Sequence, residues 1–422
     1  MLGPIEIIQS VIYFVSLYYV VFWLLVLFDA PEKDEKRKNK EWPEISILVP
    51  AYNEERNIVA TLKATHDLDY PRDKVKLFFI DDGSSDKTLE KGTKYLNTLI
   101  EKKEYSDIRI ITQKNGGKYS ALNNALKYVD TELFATLDAD SMPETDALKK
   151  IVEKFDDPEI GAVSPVLKVY NPKNYLQKIQ WFEYAVNHFY KSIICKLNAI
   201  HVTPGPLSTY RTKVVRRIGY FREAHKTEDM EMAMRIQKAH YRIIQANDAF
   251  VYTKAPNTIK ALYKQRHRWN LGTFKNLIDY RKMMFNRKYG DFGLFQLPVI
   301  LISGLLGVVV ISLVVNELWK SLRHTYNMLK LFNFNILDYM RTLKFDIMLY
   351  DVDLRTTATF VIFLALSILV IWLSLKVYRE RFLIKRIISF VLYFFLYYLF
   401  LGIVWLGVFK DVMLGRGSDW KK

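Results

Sequence analysis

Four stretches of the chain are apolar on every face and carry no charge: Ile7–Phe28, Phe292–Val315, Thr357–Leu375 and Ile387–Phe409. Each is close to the roughly 20 residues a helix needs to cross a bilayer, and a helix in a soluble core rarely stays apolar all round for that length. The pattern predicts four membrane spans. The first lacks a basic leader and a small-residue cleavage site, so it reads as a span and not as a cleaved signal peptide. Between the first and second spans the pattern changes. Short apolar runs at Ile45–Val49, Val75–Ile80, Ile108–Thr112 and Leu133–Leu137 predict strands. Glu54–His66, Asp86–Lys102 and Ser120–Val129 between them have helical spacing. This alternation predicts an α/β domain with a largely parallel sheet and helices on both faces. Ligands of such sheets sit beyond the carboxyl ends of the strands.

Three further stretches bridge the two materials. Tyr175–Phe189 and Thr258–Lys288 are amphipathic. Both fit helices lying on the inner leaflet, and the first fits equally a helix packed on its own sheet. Asn316–Thr356 is expected to be an external, aromatic-rich loop holding an interfacial helix. The chain divides into a span at 1–28, a basic linker at 29–41, a sheet domain at 42–257, amphipathic helices at 258–291 and a membrane region of about three spans at 292–422.

Charge fixes the expected orientation. Lys33, Lys36, Arg37, Lys38 and Lys40 follow the first span, and Lys376, Arg379, Arg381, Lys385 and Arg386 lie between the last two. Basic loops stay inside, which puts the N-terminus outside, the sheet domain in the cytoplasm and, by counting, the C-terminal tail outside. The 422 residues carry 61 Lys and Arg against 45 Asp and Glu, a net charge of +16. The mean hydropathy of −0.02 is the average of a polar domain and four spans. Cys195 is the only cysteine, which excludes an intramolecular disulfide framework and makes a cysteine-based metal site untenable. The basic residues flank spans, so anionic lipid is the expected polyanion and no nucleic acid is expected. His201 and His267 lack metal-ligand spacing and read as ordinary residues.

The candidate chemistry sits at the strand ends. Ile45–Val49 is followed by Pro50-Ala51-Tyr52-Asn53-Glu54, Val75–Ile80 by Asp81-Asp82-Gly83, and Leu133–Leu137 by Asp138-Ala139-Asp140. One such cluster alone would be an ordinary turn or cap; three at consecutive strand ends meet at one sheet edge. Asp138 and Asp140 point to the same side of an extended chain, a geometry that suits a hard divalent cation shared with phosphate oxygens. Later in the chain Thr227-Glu228-Asp229 opens a helix, and Gln265-Arg266-His267-Arg268-Trp269 lies in the second amphipathic stretch.

Taken together, Asp81-Asp82-Gly83, Asp138-x-Asp140, Thr227-Glu228-Asp229 and Gln265-x-x-Arg268-Trp269 resemble the motifs of the membrane-embedded family 2 glycosyltransferases, among them the cellulose, hyaluronan, chitin and poly-N-acetylglucosamine synthases. Gly205-Pro206-Leu207-Ser208-Thr209-Tyr210-Arg211 is similar to the GPLxxYR stretch of hyaluronan and chitin synthases. The resemblance covers about Ile45–Thr273 by motif and the flanking spans by architecture. The chain departs from the family's pattern in having one span before the sheet domain, Val202 near the place of a cysteine, and Lys254 in a segment, Thr253–Pro256, that is usually acidic.

The resemblance implies a cytoplasmic GT-A (Rossmann-like) catalytic domain in the plasma membrane. It also implies an inverting, metal-dependent hexosyltransfer from a UDP-sugar to a growing β-linked polysaccharide, processive and coupled to export. By the same resemblance Ala51, Tyr52, Glu54 and Asp82 hold the nucleoside, and Lys118 in Asn115-Gly-Gly-Lys118 approaches the nucleotide. Asp138 and Asp140 engage UDP and Mg or Mn, and Arg268 answers the diphosphate. Asp229 is the general base, supported by Glu228, while Trp269, Gln265 and Gly205 face the acceptor. The alternative is a single transfer to a membrane lipid, because Gln-x-x-Arg-Trp occurs in lipid glucosyltransferases too. A non-catalytic membrane scaffold is the reading from a different class.

Overall fold

The computed structural model describes residues 4–28, 41–102, 105, 107–342 and 354–415. The basic linker after the first span and the last seven residues therefore lie outside the described residues. The strands are β1 (Ile45–Ala51), β2 (Val75–Asp81), β3 (Asp107–Thr112), β4 (Leu133–Thr136), β5 (Ser141–Pro143), β6 (Ile160–Val169), β7 (Thr209–Arg211) and β8 (Arg242–Thr253). The helices are α1 (Pro4–Phe28), α2 (Ile58–His66), α3 (Thr88–Glu101), α4 (Lys118–Leu126), α5 (Ala147–Val152), α6 (Tyr175–Lys196), α7 (Thr212–Ile218), α8 (Glu228–Lys238), α9 (Ile259–Asp279), α10 (Leu297–Leu331), α11 (Ile336–Thr342), α12 (Leu354–Val377), α13 (Ile387–Leu392) and α14 (Tyr398–Met413).

The strands form one sheet in the order β3-β2-β1-β4-β7-β6-β8-β5. β3, β2, β1 and β4 run parallel, as the sequence predicts, and β7 enters antiparallel to both β4 and β6. Alternate side chains of the central strands feed separate cores. Ile45, Ile47, Val49, Leu77 and Phe79 pack under α2, α3 and α5. Leu48, Phe78, Ile80 and Phe134 pack with α4, α7 and α8 on the other face. Burial of each such side chain is worth about 1.5–3 kcal/mol. α2 begins at Ile58 and not at Glu54, because Glu54–Asn57 form a turn whose Asn57 and Ile58 amides both donate to the Glu54 carbonyl at 2.9 Å.

Among the described residues four helices are long and apolar enough to cross a membrane, at the four predicted places. Only 6% of the apolar window of the first is buried by the protein, so lipid is left to cover the rest. α10 follows a π-helical turn at Phe292–Gln296, and α13 joins α14 through another at Tyr393–Tyr397. α10 and α14 approach closely where Gly304 faces Trp405 and Gly402 faces the carbonyl of Gly307, as small residues allow between spans. The expected Asn316–Thr356 loop is corrected over its first part, and residues 343–353 of it lie outside the described residues. Asn316–Leu331 is not loop but the continuation of α10, which has 35 residues. Its polar face at Glu317, Lys320 and Arg323 ends the apolar run without ending the helix.

α6 is not a surface helix lying on the leaflet. Ile179, Trp181, Phe182 and Ala185 are buried between β6 and the membrane helices, against Ile371, Leu375, Tyr378 and Tyr393. α1 is fastened to it where Lys196 donates to the carbonyls of Val26 and Leu27 at 3.2 and 3.1 Å, a cation at a helix carboxyl end.

Candidate active site

Strand pairing brings the acidic clusters together. Ala51 lies opposite Asp81, and Leu48 lies opposite Thr136, so the segments after β1, β2 and β4 leave the sheet at the same edge. Asn53, with φ of 55°, turns the chain into the Glu54 bend. Its side-chain Oδ1 accepts from the Ser85 amide at 2.9 Å, which ties the Tyr52–Glu54 turn to the loop after Asp81-Asp82.

The two aspartates after β2 have different work. Both are buried. Asp82 accepts from the amides of Gly116 and Gly117, each at 2.9 Å, and from Gln113 Nε2 at 2.8 Å. It shapes the Asn115–Gly117 turn from which Lys118 projects. Asp81 accepts from the Ser84 amide at 3.1 Å through Oδ2, while its Oδ1 has no hydrogen-bond partner among the described residues. The family resemblance puts the nucleoside on Asp82. The unspent acceptor belongs to Asp81, and adjacency at a strand end gave no sign of which one the turn would use.

Lys118 is the hub of the charged cluster. Its ammonium pairs with Asp138 and stands 3.9 Å from Glu228. Burial pulls its pKa down, but Asp138, Glu228 and Asp229 outweigh burial and hold it above the ordinary lysine value. Gly205 lies against this pair so closely that a Cβ would collide with Lys118 Nζ and the Asp138 carboxylate. A side chain there would have to push the Lys118 and Asp138 side-chain ends aside. The Gly205 carbonyl is anchored by Thr136 Oγ1 at 2.9 Å.

Asp229 and Glu228 stand at the start of α8, where Asp229 Oδ1 accepts from the Met230 amide at 2.9 Å. Burial raises both carboxyls above the usual carboxylate range, and Lys118 and Arg268 oppose that rise. Asp140 is pushed up to about 6 by burial and then by Asp138 and Glu54. The carboxylates of Glu54, Asp138, Asp140, Glu228 and Asp229 thus crowd one edge. Among the described residues no three His, Cys, Asp or Glu side chains form a metal cage. The donor set nevertheless fits a hard divalent ion that takes one or two carboxylates and completes its shell with phosphate oxygens, and such an ion would relieve the crowding at Asp140.

α9 closes the site. Gly272 abuts Thr227 so tightly that a Cβ would clash with its side chain, and Asn276 Nδ2 donates to Thr227 Oγ1 at 2.9 Å. The helix bearing Gln265, Arg268 and Trp269 is thereby locked to the Thr227–Asp229 turn. Arg268 donates to the Lys226 carbonyl at 2.8 Å and is otherwise exposed toward the two acids. Lys226 follows Ala224 and His225 in a run of three non-glycine residues with φ between 44° and 64°, a backbone that persists only when its surroundings hold it. Gln265 accepts from Arg266, and the Trp269 ring lies 4.2 Å from the Arg266 guanidinium. Sequence reasoning passed over Arg266 because it falls between the recognisable positions.

The chain was compared with known proteins. Residues 46–219 match the family model "Glycosyl transferase family 2" and residues 133–406 match "Glycosyl transferase family group 2". A poly-beta-1,6-N-acetyl-D-glucosamine synthase of Staphylococcus epidermidis is 30% identical over 274 residues, 63% of this chain and 64% of that protein. A beta-monoglucosyldiacylglycerol synthase of Trichormus variabilis is 30% identical over 283 residues, 65% of this chain and 59% of that protein. The chain thus spans about three fifths of the length of these curated relatives. Among solved structures, a mannosyltransferase of Pyrobaculum calidifontis in complex with GDP-Man and Mn2+ superposes with a TM-score of 0.55 at 23% identity, over 65% of this chain and 74% of that one. At that identity the likeness is one of fold.

Proposed function

Because the chain belongs to glycosyl transferase family 2 and its sheet is GT-A-like, we propose that it is a membrane hexosyltransferase that moves a sugar from a UDP-sugar, with inversion, onto the end of a β-linked polysaccharide. The observation that carries this reading is the single cluster of Lys118, Asp138, Glu228 and Asp229 beside the crowded Asp140. It supplies a cation for a diphosphate, carboxylates for a divalent ion and a buried base within one site.

The donor's uracil and ribose sit over Ala51, Tyr52 and Glu54, where the unspent Oδ1 of Asp81 accepts a base N–H. Asp82 acts one step back by holding the turn that presents Lys118. Asp138 and Asp140 would hold Mg or Mn, which when bound would offset the charge that grows on the departing diphosphate. Lys118 and Arg268 face the same diphosphate. Arg268 does so with a planar fork suited to phosphate oxygens. Asp229 takes the proton of the acceptor hydroxyl. As that oxygen bonds to the anomeric carbon, the bond to UDP breaks and UDP leaves with the electron pair. Burial raises the Asp229 carboxyl and makes it a stronger base, while Lys118 and Arg268 oppose that rise. Trp269 offers the acceptor sugar an aromatic face, and one in-line displacement needs no covalent intermediate. The sheet domain lies on the cytoplasmic side of the plasma membrane.

A second reading, transfer of one sugar to a membrane lipid, is supported by equal identity to the beta-monoglucosyldiacylglycerol synthase and by a site lying directly against the spans. The test measures UDP release by purified protein with UDP-N-acetylglucosamine, UDP-glucose and UDP-glucuronate, while sizing the labelled product. Size-filter retention supports the polymer, and extraction into chloroform–methanol supports the lipid. Asp229→Asn is expected to cut turnover by about 100-fold or more; near wild-type turnover overturns the assignment of the base.

A further inference from the structure

A helix advances about 100° per residue, so Gln265, Arg268 and Trp269 share one face of α9, His267 falls on the far side, and Arg266 flanks the shared face beside Trp269. Arg266 and His267 are buried at 3% and 2% exposure. Arg266 Nε donates to Glu183 Oε1 at 3.1 Å and Nη2 to Glu183 Oε2 at 2.5 Å, a two-pronged bond across to α6. Nε also reaches the Tyr397 hydroxyl at 3.3 Å, in the π-helical turn of the last span. Nη1 donates to Gln265 Oε1 at 2.5 Å, and the guanidinium lies 4.2 Å from the Trp269 ring. One buried cation therefore touches α6, the last span and two of the three residues on the acceptor-facing side. Beside it His267 Nε2 meets Asp411 Oδ2 at 3.1 Å on α14.

We infer that Arg266, locked by Glu183, is the positioning residue of the acceptor platform: it fixes Gln265 and Trp269 against the membrane helices and so sets where the acceptor sugar stacks relative to Asp229. A buried arginine pair contributes little net stability against an apolar pair of the same shape, but its fork geometry constrains orientation in two directions at once. Lysine carries the charge without the fork and cannot hold Glu183 and Gln265 together. The inference rests on the proposed transferase reading, and it is separable from it. Donor hydrolysis to water, which needs no acceptor, reports the donor half of the site. The acceptor KM reports the platform.

The experiment uses full-length protein in nanodiscs with Glu183→Gln, which keeps shape and removes charge, and Tyr397→Phe, which removes one hydroxyl. Each is assayed with UDP-N-acetylglucosamine against a β-1,6-linked N-acetylglucosamine pentamer and against diacylglycerol, using whichever the wild type glycosylates. Glu183→Gln is expected to raise the acceptor KM about tenfold, with donor KM and donor hydrolysis within about twofold of wild type. Tyr397→Phe is expected to move the acceptor KM in the same direction by less. Failure of the wild type to release UDP from any donor defeats the transferase reading. A wild type that transfers, with Glu183→Gln leaving the acceptor KM unchanged or lowering donor hydrolysis in parallel, defeats the positioning role. Should Glu183→Gln not yield folded protein, Tyr397→Phe decides by the same two readouts.

Discussion

At the residue scale the chemistry is a matter of which carboxylate is satisfied by its own protein. Asp82 is saturated by amides, Asp138 by Lys118, and Asp140 by neither. Among the described residues Asp140 accepts only from the Ser141 hydroxyl, at 3.1 Å, and it faces Asp138 and Glu54. An acid whose pKa is raised on folding, here from 3.8 to about 6, favours the fold below its unfolded value and loses that contribution as the pH climbs through 6. In EDTA at pH 7.5, Asp140→Asn is therefore expected to melt higher than wild type by about 1–2 kcal/mol after discounting for partial exposure. The gap should close toward pH 4.5, and the variant should be inactive with metal restored. A wild type that melts higher than the variant in EDTA would contradict this. The existence of an acidic edge was legible in the sequence. The division of labour between Asp81 and Asp82 was not, because it depends on a turn 33 residues downstream that no local pattern advertises.

At the scale of elements, the first half of the sheet follows from alternation and the second half does not. β1 to β4 are short apolar runs. β6 carries Gly161 and Pro165, which fall where its register with β8 shifts, and proline reads as a strand breaker unless a bulge accommodates it. β8 begins Arg-Ile-Ile-Gln-Ala-Asn-Asp, too polar for a core strand by pattern alone. The helix bearing Gln265, Arg268 and Trp269 was legible as amphipathic, but its apolar side suggested lipid, whereas the structure packs it against α14, Thr227 and Glu183. The contact of Gly272 with Thr227 gives a direct test. Gly272→Ala must push α9 off the Thr227–Asp229 turn by a fraction of an ångström or more. It is expected to lower kcat about 10- to 100-fold while leaving the donor KM near wild type. An unchanged kcat would mean that α9 and the turn are not coupled in catalysis.

At the scale of the whole molecule, four apolar helices and one mixed sheet were both legible, and the length of α10 was not. Its 35 residues extend about 52 Å against a hydrocarbon thickness of about 30 Å, so more than 20 Å of it stands clear of the bilayer core. Leu318, Trp319, Leu322 and Tyr326 on that extension are exposed. Reading the basic loops as cytoplasmic puts the extension outside the cell. With Cys195→Ser as background, Lys320→Cys is expected to react with a membrane-impermeant maleimide in intact cells. Labelling only after the cells are broken would reverse the topology.

The sharing of α9 between sheet and spans has a consequence for how such a chain can be recombined. Composition places a natural seam near residue 257, where a polar domain gives way to basic and apolar helices. Cutting there leaves Glu183 on one side and its guanidinium on the other, and it parts Thr227 from Gly272 and Asn276. A chimera that borrows another enzyme's spans has to carry α6, α9 and the last two spans as one inherited block. The two halves are separable as materials but not as modules.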